Sequence, residues 1–117
     1  MNKFLILVAG LSMLAGSAAN AADCGEPPMD KPFVPSGENA TSDDIRDART
    51  SVLAYSTTVD EFIACMERRT ALVSPYMTKE QIERRQDDLN NLHNDRRDLQ
   101  IKLNEAIRAY RRSQSSS

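Results

Sequence analysis

From Ile45 to Met66 the side chains that matter return at alternating spacings of three and four: Ile45, Ala48, Val52, Tyr55, Val59, Phe62 and Met66. A second run does the same through Ile82, Arg85, Leu89, Leu92, Arg96, Leu99, Leu103, Ala106 and Tyr110. Such stepping marks one stripe of a helix that faces a partner along a coiled-coil seam. Ser74-Pro75 stands between the runs, and the residue before a proline avoids helical geometry, so the first helix must end there. The expected fold is therefore all-α: an antiparallel two-helix coiled-coil hairpin, with helices over about 42–72 and 79–112. Folding about a midpoint between Pro75 and Tyr76 sets Met66 opposite Arg85, Phe62 opposite Leu89 and Val59 opposite Leu92. Tyr55 then meets Arg96, Val52 meets Leu99, Ala48 meets Leu103 and Ile45 meets Ala106. A shift of one heptad would drive the turn into a helix.

The helix ends carry matching signals. Thr41 with Asp44, and Thr78 with Gln81, have the spacing of capping boxes. Asp43, Asp44 and Asp47 suit the positive end of the first helix dipole. The second helix is expected to fade near Arg112, leaving SQSSS (113–117) as a flexible tail. Arg85 and Arg96 interrupt the second seam. Their aliphatic stems are expected to lie along it while their heads reach the acidic first helix, with Arg96 able to stack on Tyr55. Tyr110 has no seam partner and is expected against the arm near Phe33 and Val34. Leu53, Ile63, Ile101 and Ile107 fall off the seam. They are candidates for covering the arm or for a face that pairs two hairpins into a four-helix bundle.

Residues 1–22 read as a secretory signal peptide: Lys3, an apolar run from Phe4 to Ala15, then small residues before a cleavage point after Ala21 or Ala22. The alternative is an uncleaved anchor, although the run is shorter than the roughly 20 residues a spanning helix needs. No integral membrane segment is expected after cleavage. Residues 23–41 hold Pro27, Pro28, Pro32 and Pro35, which forbid a helix and favour an extended arm.

Charge is divided along the chain. Residues 23–67 carry 10 acidic and 3 basic side chains, and residues 68–117 carry 7 acidic and 11 basic. The halves attract, as an intramolecular hairpin requires. The Arg-Arg pairs at 68–69, 84–85, 96–97 and 111–112 read as a salt-bridged solvated face, because acidic residues interleave with them; no nucleic-acid partner is expected.

Two cysteines remain to be placed. The arm between Cys24 and the first helix spans at most about 55 Å when extended. The path from residue 42 to Cys65 along a helix is about 35 Å. The arm can thus double back and bring Cys24 to Cys65, and an exported compartment favours the bond. An intermolecular disulfide is the alternative. A thioredoxin-type pair lacks C-x-x-C, and a catalytic thiol would need His93, which the register places about two turns away. One histidine and two cysteines without ligand spacing do not build a metal site, so no metal or cofactor is expected.

The segments Cys24-Gly25-x-Pro-Pro, Pro32-x-Val-Pro-x-Gly37, Ala40-Thr41, Val52-x-x-Tyr55 and Phe62-Ile63-x-Cys65 resemble a group of small uncharacterised exported proteobacterial proteins. Leu92-His93-Asn94 and Leu103-Asn104-x-x-Ile107-Arg108-x-Tyr110 look like that group's second-helix pattern. The resemblance implies a periplasmic location and no particular activity. Met77-Thr78-x-x-Gln81 is similar to the Leu-Thr-x-x-Gln motif of the Spy and CpxP periplasmic stress proteins, with Met for Leu. These features point to a periplasmic or secreted, non-enzymatic structural or protein-interaction protein of the bacterial envelope, working through a protein partner or self-association. A Spy/CpxP-like chaperone or stress sensor and a secreted enzyme inhibitor are the alternatives. A narrow hairpin offers no enclosed pocket for an enzyme.

Overall fold

The structure, a computed structural model, describes residues 24–116. The expected signal peptide, residues 1–22, lies outside the described residues, as do Asp23 and Ser117. The fold is all-helical and is built on two long helices, α1 (Ser42–Val73) and α2 (Lys79–Ser115). Each opens on a closed capping box. The Thr41 amide donates to Asp44 Oδ2 at 2.9 Å while the Asp44 amide donates to Thr41 Oγ1 at 3.1 Å. Thr78 and Gln81 repeat the exchange at 2.9 and 3.2 Å. Each box satisfies two backbone donors that a helix start would otherwise leave without partners.

Between the helices, Ser74–Tyr76 forms a single 3-10 turn with Pro75 near its start, where no N–H is needed. The helix bounds follow the seam pattern closely at three ends. At the fourth, α2 runs past Arg112 to Ser115. Its serines explain the extension: Ser113 Oγ donates to the Tyr110 carbonyl, and Ser115 and Ser116 Oγ donate to the Arg112 carbonyl, at 2.9–3.0 Å. The Arg112 carbonyl also accepts from the Ser116 amide at 3.2 Å, which closes the last turn.

The core is the predicted seam. Ile45, Ala48, Val52, Tyr55 and Val59 of α1 are buried, as are Leu89, Leu92, Leu99, Leu103 and Ala106 of α2. Val52 and Val59 are the most completely enclosed. Toward the turn the seam thins: Phe62 and Met66 are only partly buried. Ile63, one residue off the seam, is buried in the same cluster. Ile107 packs partly against it, while Leu53 and Ile101 stay exposed. Two of the four off-seam apolar residues therefore belong to the core of the single hairpin.

The arm doubles back as expected, but over both helices. Cys24 is bonded to Cys65 of α1, with the Cα atoms 5.7 Å apart. Lys31 Nζ then meets Asp95 Oδ1 of α2 at 3.2 Å. Val34 packs on the core cluster, and a short 3-10 turn at Gly37–Asn39 leads into Thr41. Gly37 is buried against α2. A Cβ built there would overlap the Ala106 carbonyl and come within 2.9 Å of the Ala109 Cβ. Phe33, expected beside Tyr110, points away and is 83% exposed. In an extended chain successive side chains alternate sides, so burying Val34 turns Phe33 outward.

Candidate functional site

Cys65 is occupied by its bond to Cys24, so the cysteine pair serves as a staple. His93 is half-buried and lies 3.3 Å, Nδ1 to Nη2, from Arg96 of its own helix. Among the described residues no three His, Cys, Asp or Glu side chains come together as metal ligands. No helix among them is long and apolar enough to cross a membrane.

Both seam arginines reach back to α1. Arg96 Nη1 pairs with Asp60 Oδ1, and Arg85 Nη1 donates to Thr70 Oγ1 at 3.2 Å. Side chains on a helix lean toward its N-terminus, so each arginine of α2 leans toward the hairpin turn and meets α1 about one turn beyond its facing residue. Arg96 closes over the seam in this way. Arg85 and the partly buried Met66 leave their layer open to one side.

The consequence is an open groove of about 950 Å³ near the turn. Phe62, Met66 and Val73 of α1 and Leu89 and Leu92 of α2 line its apolar part, with Met77 at the turn. Gly25, Pro27 and Met29 of the arm form one wall, held there by the disulfide next to them. Arg69, Arg84 and Arg85 line it toward the turn, Asp95 lies at the end away from the turn, and Asp88 lies midway. Of the five methionines in the chain, Met1 and Met13 belong to the expected leader. The remaining three, Met29, Met66 and Met77, all line this groove. Methionine is unbranched and polarizable, so a methionine-lined surface adapts its shape to what it touches.

The seam spacing puts Met66 in a layer and the Met77-Thr78-x-x-Gln81 motif picks out Met77, but nothing in the sequence marks Met29 or joins the three. The signal was present as three methionines spread over the arm, α1 and the turn, but only the fold-back of the arm brings them together. The Thr78-x-x-Gln81 pattern does local work here, since those two residues close the cap of α2.

Behind the groove, the Lys31–Asp95 pair lies near Tyr55. The Tyr55 hydroxyl is buried and has no hydrogen-bond partner among the described residues. Burial raises its pKa above the ordinary value of 10.0, the Asp95 carboxylate raises it further, and Lys31 opposes both. Elsewhere the arginines divide. Arg46 pairs with Asp43 and Arg97 with Asp98, as a salt-bridged face requires. Arg49, Arg108 and Arg111 instead line a smaller recess of about 240 Å³ at the far end of the hairpin. Compared with known proteins, the chain matches no family model, no curated protein and no solved structure.

Proposed function

We propose that this is an exported, non-enzymatic protein-interaction protein of the bacterial envelope, and that it holds an apolar segment of its partner in the methionine-lined groove. The observation that carries the reading is the convergence of Met29, Met66 and Met77 on one open surface walled by the stapled arm. Met29 is exposed, while Met66 packs partly on the core and Met77 is half-buried, so one open surface presents three adaptable side chains at graded depth, as a binding surface does. Export follows from the leader-like first 22 residues, and the disulfide suits an oxidising compartment. A chaperone-like role uses the same surface on many unfolded clients, and an inhibitor role uses it on one enzyme.

The test is site-directed photo-crosslinking in intact cells, with a benzophenone side chain at Met29 or at Leu53, which is 69% exposed on α1 and does not line the groove. The Met29 probe should yield protein adducts and the Leu53 probe should not. One discrete adduct supports a dedicated partner, a smear supports a chaperone, and an adduct of twice the chain mass supports self-association. Equal labelling from both positions, or none from Met29, contradicts the reading.

A further inference from the structure

The arm shows what kind of chain this flank of the hairpin accepts. It runs from Gly37 at Ala106 and Ala109, past Lys31 at Asp95, to Cys24 at Cys65. On α2, positions seven apart share a flank, and Asp95 and Ala109 belong to the series 81, 88, 95, 102, 109. Gln81, Asp88 and Asp95 all line the groove. The groove is therefore the same flank, opening where the arm leaves Asp95 of α2 and crosses to Cys65 of α1, with Gly25, Pro27 and Met29 as its wall.

Its dimensions limit the occupant. The fourteen residue steps of α2 from Gln81 to Asp95 span about 21 Å. The groove is open along its length rather than enclosed. An extended chain suits this groove as the extended arm suits the flank it already covers. A polyproline-like segment advances about 3.1 Å per residue, so about seven residues fill the groove.

Charge sets the ends. Arg84 forms no ion pair among the described residues, and Arg85 uses one guanidinium nitrogen on Thr70, leaving further N–H donors in its fork. Both stand at the turn end. At the opposite end Asp95 is engaged by Lys31, and Asp88 lies midway, one turn of α2 from Arg84. A carboxylate on the occupant is favoured beside the arginines and disfavoured beside the aspartates.

We infer that the groove binds an extended, proline-compatible apolar segment of a partner protein, about seven residues long, that places a carboxylate between Arg84 and Arg85. This rests on the groove being the partner surface. The test uses the disulfide-intact protein without its leader and three fluorescent peptides, read by anisotropy. One is apolar with two prolines and a glutamate pair at one end. The second replaces the glutamates by lysines. The third keeps the glutamates but is locked as a helix by a side-chain staple. The first should bind at least tenfold more tightly than either other peptide. Arg84→Glu should reverse the order of the first two, and Met29→Asp should weaken all binding. Both substitutions are at exposed positions, and far-ultraviolet circular dichroism checks that each variant folds. If the lysine or helical peptide binds as well as the first, and Met29→Asp still weakens it, the groove reading stands and this inference is overturned. If no peptide binds, or Met29→Asp changes nothing, both fail. Concentration-dependent dimerisation abolished by Met29→Asp would make a second copy the occupant and also overturn the inference.

Discussion

Tyr55 holds a buried hydroxyl that no neighbour satisfies. An unpaired buried donor typically costs about 1–3 kcal/mol, so Tyr55→Phe should leave the fold intact and raise its stability by about 1 kcal/mol, measured by urea unfolding. A loss of stability would mean that the hydroxyl is bonded after all. The same residue sets an alkaline limit. Its folded pKa is raised, so above pH 10 the unfolded chain loses this proton before the folded chain does. Stability should therefore be full below pH 10, fall as pH rises through the raised value, and fall less in Tyr55→Phe. Gly37 makes a second residue-scale case. Gly37→Ala must displace the Ala106 backbone contact, so it should lower stability by about 1–3 kcal/mol. An unchanged melting temperature would contradict the close approach. The seam position of Tyr55 could be read from spacing alone, but its missing partner could not, because that depends on where Lys31 lands. The buried place of Gly37 was equally hidden: a glycine beside prolines looks like turn chemistry until α2 is set against it.

The helices were legible because two independent signals agreed on each. Periodicity marked the buried stripes, and Thr41 and Thr78 marked the starts. Thr78→Ala removes an acceptor from the start of α2 and should cost about 1 kcal/mol, visible as a lower urea midpoint. No shift would show that the box contributes nothing beyond solvent hydrogen bonds. What the pattern missed lies beside the seam. Ile63 sits one residue after a seam position, yet it is buried as deeply as the seam itself. A seam thinned by Arg85 leaves room that a neighbouring apolar side chain can take. From the sequence the polar SQSSS end reads as a flexible tail, as chain termini commonly are. In the structure the serine hydroxyls bond back to the Tyr110 and Arg112 carbonyls of the preceding turn, and the helix continues to Ser115.

At the scale of the molecule, two helices bury a narrow core, and the arm adds a third layer along one flank. Bonding Cys24 to Cys65 closes a loop with a sequence separation of 41. Such a closure stabilises by about 4 kcal/mol in the chain-entropy model, a large share for a domain of this size. It also fixes Met29 as the groove wall. The reach of the arm and the pairing were legible from chain length; the arm's path over both helices, and the groove that path leaves open, needed the side chains in place. The most direct test of the account is peptide mapping by mass spectrometry of the exported protein, purified without reductant. The account predicts a monomer two hydrogens lighter than its reduced form, with the peptides containing Cys24 and Cys65 recovered as one linked species. Two free thiols, or a linkage that joins two chains, would contradict it.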